Sequence, residues 1–366
     1  MQYREYGKTG KKLSVVGFGG MRFGKDEDYA QEVVHRANEL GVNYFDTAPF
    51  YCDDRSEIIF GKAFRNMPKD FYVSTKSSLS ADPTGDDVRR RIETSLKRLG
   101  RDKIDFFHMW CIKDLEQYRG VMAPGGPYEG ALKAKEEGLL EHLVFSTHCK
   151  GEDIRTIVEE DHFEGVLLGY NVSNYPFRQE GVNAAIEKNA GVVTMNPLGG
   201  GLIPEHRKFF DFIRENDQET VNQAALRFIL AQEGITLAIP GMGTIEEVEE
   251  NVAVGDFDLK VSPKKLKEIE ENITDSMNTL CTTCGYCLKC PQDIKIHKYL
   301  ESYNLKLLKD EEEMKKRLKM LKDSGRLKEE DAKPGDCIAC GICEDLCTQK
   351  LPIIQRLKEL DQIGML

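Results

Sequence analysis

Four side chains able to do acid–base chemistry end short apolar runs in the first third of this chain. In GVNYFDTAPFY (residues 41–51), Val42, Tyr44 and Phe45 form a largely apolar run that Asp46 ends. Thr47-Ala48-Pro49 breaks the pattern and Tyr51 follows in a loop. Lys76 closes FYVSTK, and His108 ends the apolar part of IDFFHMW. A phenol with an ammonium, a carboxylate and an imidazole beside it can pass a proton to or from an oxygen atom. Alone, an Asp capping a helix or a Lys or His ending a strand is ordinarily structural. Four such groups in register point to a site.

A second chemistry is written towards the other end. Of eleven cysteines, eight fall in two runs after residue 280. CTTCGYCLKCP carries Cys281, Cys284, Cys287 and Cys290; CIACGICEDLC carries Cys337, Cys340, Cys343 and Cys347. Runs of this density without a secretion signal point to metal ligation instead of disulfides. The second run has the C-x₂-C-x₂-C-x₃-C spacing of bacterial iron–sulfur proteins, although Thr348 stands where proline is expected. The first is one residue shorter before its last cysteine and keeps Pro291. Three close thiolates cap three corners of a cubane, and a distant cysteine takes the remaining iron. By that rule Cys281, Cys284, Cys287 and Cys347 bind one [4Fe–4S] cluster, and Cys337, Cys340, Cys343 and Cys290 the other. Zinc is the alternative, since paired C-x₂-C motifs also build tetrahedral sites. Two triplets with two fourth cysteines suit two cubanes better. Cys52, Cys111 and Cys149 each follow a strand end, where they either line the pocket with a redox role or pack as small apolar residues.

The elements that must hold the first four groups alternate in type. Strand-like runs occur at Val15–Phe18, Asn43–Asp46, Phe71–Lys76, Ile104–Met109 and Leu143–Ser146, then at Gly165–Leu168, Gly191–Met195 and Ile235–Ile239. Between them lie amphipathic stretches such as Tyr29–Leu40, Ser56–Arg65, Asp86–Leu99 and Asp153–Glu160. The pattern predicts a parallel (β/α)₈ TIM barrel of the α/β class, entered through a hairpin around Gly7–Gly10, with its chemistry at the carboxyl ends of the strands. A doubly wound sheet is the alternative, weakened by the lack of G-x-G-x-x-G after the first strand. The expected division is a barrel over residues 1–272 and an iron–sulfur domain over 273–366, with a charged helical insert at about 305–333. That insert reads as a solvated helical hairpin with a Leu and Met stripe packed inwards.

With SVVGFGGMRFG at the start, the four-residue constellation resembles the aldo/keto reductase superfamily. GALKAKEEGLLEHLVFST, Tyr170-Asn171, NPLGGGL from Asn196, Ala225–Phe228 and IPGMGTIEEVEEN extend the resemblance over roughly residues 1–258. It implies Tyr51 as proton donor to a carbonyl or acceptor from an alcohol, Lys76 and Asp46 tuning it, and His108 aligning the substrate oxygen. It implies a nicotinamide held by Ser146, with Thr147 where asparagine is usual and Asn171 nearby. Leu167 replaces the family's carboxamide-binding glutamine, and Met195 its ring-stacking tyrosine. At the adenosine end, Gly241 replaces a lysine and Glu247 an arginine, while Glu250 and Asn251 keep the adenine pair. A carboxylate repels a 2′-phosphate and can accept from a free ribose hydroxyl, which favours NADH over NADPH. The final hundred residues resemble the two-cluster bacterial ferredoxin domain, and the pairing matches a known fused family.

Composition sets the remaining bounds. A net charge of −11 disfavours nucleic acid as a partner. No apolar run is long enough for a membrane span and no leader is evident at Met1, so the cytoplasm is the expected compartment, and two oxygen-sensitive clusters point to an anaerobic or reducing one. The substrate expected is a small carbonyl or alcohol, and the redox partner considered is a ferredoxin or other redox protein. Because clusters move single electrons and nicotinamide moves a hydride, a flavin would ordinarily bridge them. Three readings follow: a nicotinamide-linked oxidoreductase with structural or electron-outlet clusters; a ferredoxin-coupled reductase whose clusters feed a flavin or the substrate while the four groups supply only protons; and an electron-transfer module on a vestigial barrel.

Overall fold

The computed structural model describes residues 1–363, which divide into two compact units. The first contains Met1–Leu198 and His206–Ile269. A hairpin of β1 (Tyr3–Glu5) and β2 (Lys12–Ser14) precedes eight strands: β3 (Phe18–Gly19), β4 (Tyr44–Asp46), β5 (Tyr72–Ser77), β6 (Ile104–Ile112), β7 (Leu140–Thr147), β8 (Gly165–Gly169), β9 (Gly191–Met195) and β10 (Leu237–Ile239). They pair in parallel and in sequence order. Bridges from Val16 to Ala238 and from Gly19 to Gly241 join the first strand to the last and close the barrel. Closure excludes the doubly wound alternative.

Period-two alternation places alternate residues of each strand inside. Tyr44, Phe106, Val144, Leu167, Val193, Leu237 and Ile239 form the inner stack with Tyr6 and Leu13. Tyr6, from the hairpin turn, plugs the amino-terminal end of the barrel. A Cβ on Gly191 would lie 2.5 Å from its ring, so only glycine lets the plug seat. Two residues further along β4 and β6 from Tyr44 and Phe106, the same inner face presents Asp46 and His108. The barrel is thus apolar below and ionisable at its mouth.

The intervening helices follow their sequence signals. Gly85–Leu99 opens with a capping box between Thr84 and Asp87 and buries Val88, Ile92, Ser95 and Leu99 along one face. Between β6 and β7 there are two helices, Leu115–Val121 and Pro127–Glu136.

The second unit contains residues 270–363 together with Gly199–Glu205, the segment that follows β9 in the chain. Its helical hairpin runs from Ile296–Leu308 to Glu311–Asp323, beginning earlier than the charge pattern suggests. Ile296, Tyr299, Leu300 and Tyr303 supply the helix-spaced apolar face responsible. The stripe of Met314, Leu318 and Leu321 packs in one core with Cys281, Cys287, Cys343 and Cys347.

Candidate active site and cysteine cavities

The mouth of the barrel gathers the four groups that the strand ends carry. Lys76 Nζ donates to Asp46 Oδ1 at 2.6 Å and to the Thr47 carbonyl at 2.6 Å, and both side chains are almost wholly buried. Asp46 Oδ2 accepts from Ser74 Oγ at 2.6 Å. His108 Nε2 lies 4.0 Å from the same carboxylate oxygen and 3.4 Å from the Tyr44 hydroxyl. The Tyr51 ring centroid is 5.1 Å from Lys76 Nζ, and Trp110 meets that ring edge-on at 5.6 Å. Trp110 therefore forms the wall beside the phenol.

Burial dominates the electrostatics here. It lowers Lys76 below the ordinary lysine range, against the pull of Asp46, which favours the ammonium. It also holds His108 well below the usual imidazole value, with the Lys76 charge adding to the effect. The imidazole is consequently neutral near pH ~7. The ion pair is worth most as geometry: removing one partner of such a pair costs about 3–5 kcal/mol because a lone charge is left buried.

The loop that carries Tyr51 is conformationally expensive. Phe50, Cys52, Asp53 and Asp54 all have positive φ, at 72°, 54°, 57° and 67°. Each is a conformation that side chains other than glycine's disfavour, at a cost on the order of 1–3 kcal/mol. Arg98 holds the loop through a bidentate pair with Asp54, both contacts at 2.8 Å, and its Nη1 also donates to Glu57 Oε2 at 3.3 Å. Cys52 lies half-buried in this loop and donates to the Gly20 carbonyl at 3.6 Å. Cys149 is buried and donates to the Ile112 carbonyl at 3.6 Å. Cys111 sits with φ 61° at the irregularity between Met109 and Ile112.

In the second unit the eight clustered cysteines stand around two cavities. Cys281, Cys284, Cys287 and Cys347 line one, together with Thr282, His297 and Thr348. Cys290, Cys337, Cys340 and Cys343 line the other, whose wall is otherwise mostly Ile and Leu. Each cavity takes three cysteines from one run and the fourth from the other. Burial, then neighbouring Cys284, pushes the Cys287 thiol up to about 12; burial, then Glu344, pushes Cys343 up to about 11. The thiolate is the ligand form, so binding of a metal group at these sulfurs would release the thiol protons. The first run also holds the segment from β9: Thr283 Oγ1 donates to the Gly200 carbonyl at 2.8 Å. A Cβ on Gly200 would lie 2.0 Å from the Thr282 carbonyl oxygen, so the contact requires glycine. Arg317 pairs with Glu301 and, at 2.6 Å, with Glu205 at the other end of that segment.

Comparison with known families gives two matches. Residues 15–274 fit the aldo/keto reductase family, and residues 280–352 fit a 4Fe-4S dicluster domain. The chain belongs to the aldo/keto reductase family. An L-galactose dehydrogenase of Arabidopsis thaliana is 30% identical over 293 residues, covering 69% of this chain and 88% of the relative. An uncharacterized oxidoreductase of Bacillus subtilis is 24% identical over 287 residues, covering 69% and 90%. Among solved structures, the holo form of an aldo-keto reductase from Bacillus halodurans superposes with a TM-score of 0.64 at 21% identity, covering 74% of this chain and 96% of that one. An aldo/keto reductase from Klebsiella pneumoniae, in complex with NADP and acetate, gives 0.62 at 20% identity, covering 74% and 94%. These structural likenesses are of fold.

In this aldo/keto reductase the residues expected at the nucleotide fall into two groups. Ser146 is fully buried and its Oγ has no protein partner, and the same holds for Oδ1 of Asn251, which is 3% exposed. Met195 is half-buried against the inner stack. Others spend their polar atoms internally. Thr147 Oγ1 donates to the Ile112 carbonyl at 2.9 Å, and Asn171 Oδ1 accepts from Ser173 N and Oγ at 2.9 and 2.6 Å. Glu247 Oε2 accepts from Gly243 N at 2.7 Å, and Glu250 Oε2 from Asn222 Nδ2 at 3.1 Å. At Gly241 a Cβ would lie 2.5 Å from Arg22 Cγ, so the Arg22 stem occupies the space over that glycine.

Ser74, Tyr44, Arg98 and Arg22 join the site without having stood out in the sequence. Ser74 and Tyr44 each lie two residues before a predicted site residue, hence on the same face of the same strand, and that offset was the available signal.

Proposed function

We propose that the barrel interconverts a small carbonyl compound and its alcohol, with Tyr51 passing the proton, and that the second unit carries two [4Fe–4S] clusters. The observation that carries the barrel reading is the buried Lys76–Asp46 pair at 2.6 Å with the Tyr51 ring over the ammonium. A bound nicotinamide dinucleotide would supply or accept the hydride. The unpartnered Ser146 Oγ suits its carboxamide and the unpartnered Asn251 Oδ1 suits the amino group of adenine; Met195 would lie against the ring.

The protein's own part follows from geometry. Tyr51 gives its proton to the carbonyl oxygen, and the Lys76 charge stabilises the phenolate left behind. Asp46 keeps Lys76 charged and aimed, while Ser74 fixes the second carboxylate oxygen. Neutral His108 helps align the substrate oxygen, and Trp110 excludes water from one side of the phenol. In oxidation the same groups run backwards. NADH is proposed over NADPH because the Glu247 carboxylate is fixed beside Gly243, where a 2′-phosphate would meet like charge.

In the second unit, Cys281, Cys284, Cys287 and Cys347 would hold one cluster and Cys290, Cys337, Cys340 and Cys343 the other. Clusters supply one-electron transfer. Two groups of four thiols, each made of a close triplet and a fourth cysteine from the other run, suit an iron–sulfur cubane better than a single tetrahedral ion.

The test of the barrel reading is Tyr51→Phe, assayed with NADH and NADPH over a panel of small aldehydes, ketones and sugars that includes L-galactose. Turnover should fall at least ~10²-fold with nucleotide affinity unchanged. Unchanged turnover would end the reading.

A second reading, in which clusters feed the barrel through a bridging flavin, draws on one observation. Leu167, at the position of the family's glutamine, is 1% exposed and packed in the inner stack, so that carboxamide contact is missing. Reducing the clusters anaerobically, removing the reductant and adding NAD⁺ or NADP⁺ separates the two. Cluster reoxidation matched by reduced nicotinamide favours the second reading; bound nucleotide with no reoxidation favours the first.

A further inference from the structure

The two cysteine cavities differ in what surrounds the sulfur atoms. Around Cys281, Cys284, Cys287 and Cys347 stand hydrogen-bond donors and a cation. Thr283 N–H donates to Cys281 Sγ at 3.4 Å, and Leu351 N–H to Cys347 Sγ at 3.5 Å. The Thr348 hydroxyl lies 3.9 Å from Cys284 Sγ. His297 lines the same cavity, and its Nδ1 is buried without a protein partner. Arg356 is 5% exposed, and its charge bears on Cys281 and Cys347. It is held there by the Thr279 carbonyl at 2.9 Å and by the Tyr303 ring at 4.9 Å.

The other cavity is built differently. Ile294, Ile296, Ile338, Ile354 and Leu357 make most of its wall. The charged side chain that bears on Cys343 is the Glu344 carboxylate, which also accepts from Ile354 N at 2.8 Å; the backbone N–H groups of Cys343 and Glu344 act on that sulfur in the opposite sense.

Reducing a cubane adds one negative charge to a group already held by four thiolates. A cation and N–H or O–H donors stabilise that charge; a carboxylate and an apolar wall oppose it. Exposure works in the opposite sense, since Cys340 is exposed and water would solvate that corner. Water contributes there in a screened medium, whereas the Arg356 charge acts inside a buried wall where charges interact several-fold more strongly, and the buried His297 Nδ1 adds a neutral polar group beside it. The buried groups decide the sign.

Resting on the reading that both cavities hold [4Fe–4S] clusters, we propose that the two are unequal: the cluster of Cys281, Cys284, Cys287 and Cys347 has the higher reduction potential and holds the electron in the singly reduced protein, with Arg356 and His297 setting the gap. In the exchange this implies, the cluster of Cys290, Cys337, Cys340 and Cys343 goes from 1+ to 2+ as the other goes from 2+ to 1+. One electron moves and no bond is made or broken. The receiving cluster is the one whose cysteine run holds Gly200, in the segment that continues from β9.

The test is an anaerobic potentiometric titration of the full-length, cluster-loaded protein followed by electron paramagnetic resonance, preceded by iron and sulfide analysis. About eight of each per chain keeps the two-cluster reading; about four ends that reading, whatever the potentials. With eight present, two resolved one-electron steps are expected. Arg356→Gln should lower the upper step by at least tenfold in equilibrium constant, about 59 mV, and leave the lower step in place. Arg356→Lys should restore it, and His297→Leu should lower the same step. Glu344→Gln should raise the lower step alone. A single unresolved step in the unmodified protein overturns the proposal, as does a lower step that moves in Arg356→Gln. If Arg356→Gln fails to retain iron, Glu344→Gln decides: a shift in the upper step overturns the proposal and a shift in the lower step supports it.

Discussion

Ser74 shows how much of the proposed catalytic geometry rests on a residue with no chemistry of its own. Its hydroxyl donates at 2.6 Å to the Asp46 oxygen that Lys76 does not use. Ser74→Ala leaves that oxygen short of a donor inside the barrel. The expected loss is about 1.5–3 kcal/mol of stability, with kcat down roughly tenfold because Asp46 can swing and take Lys76 with it. Thermal unfolding and steady-state kinetics measure both, and an unchanged kcat would show that Lys76 alone orients the carboxylate. His108 carries a pH prediction. Its folded-state pKa lies well below the ordinary 6.5, by burial first and the Lys76 cation second, so protonation is postponed to lower pH. The imidazole keeps one state as pH falls from about 8 to 6, and kcat/KM should show no limb near ~6.5. Such a limb, abolished by His108→Asn, would show that the ring titrates normally. The sequence made Asp46, Lys76 and His108 legible because a charged group is conspicuous at the end of an apolar strand. Ser74 and Tyr44 were not, because hydroxyl-bearing residues are ordinary in strands and their partners lie on other strands.

Among the elements, the loop between β4 and the helix Ser56–Phe64 holds four positive-φ residues and depends on a distant anchor. Four positive-φ residues surround Tyr51, and the bidentate Arg98–Asp54 contact at 2.8 Å ties them to the helix Gly85–Leu99. Arg98→Met keeps the aliphatic stem and removes the anchor. The loop should relax, displacing Tyr51 by a fraction of an ångström or more and lowering kcat by about 10–100-fold. If Arg98 acts through Tyr51, adding Arg98→Met to Tyr51→Phe should cost nothing further. An additive loss in the double variant would assign Arg98 a separate role. Neither the loop geometry nor its anchor was legible: YCDDR contains no glycine to announce left-handed backbone, and Arg98 lies 44 residues from Asp54. The strands themselves were legible within a few residues, because inner and outer faces are both buried and their apolar runs are continuous. β3 is the exception. It begins at Phe18, while Val16 contributes only an isolated bridge to Ala238.

At the scale of the molecule, the chain joins a barrel to a unit whose two cysteine runs are interleaved. The second unit takes in Gly199–Glu205, a grouping that no local pattern announces because Thr283 and Arg317 meet it only in the folded chain. The interleaving makes a prediction that sequence proximity alone would reverse. Cys290 belongs by chain position to the first run, yet it lines the cavity with Cys337, Cys340 and Cys343. Cys347 belongs to the second run, yet it lines the cavity with Cys281, Cys284 and Cys287. Cys290→Ser should therefore perturb the cluster of the second triplet, and Cys347→Ser that of the first. The resonance signal of the singly reduced protein tells them apart, because the proposed order of potentials places that electron on the cluster of the first triplet. Cys347→Ser should alter or abolish this first signal, while Cys290→Ser should leave it intact and remove the one that appears at lower potential. Iron content should fall from about eight towards about four in each variant. If each run instead served its own cluster, the two variants would exchange phenotypes. If the cavities held single zinc ions, neither variant would have a resonance signal to lose.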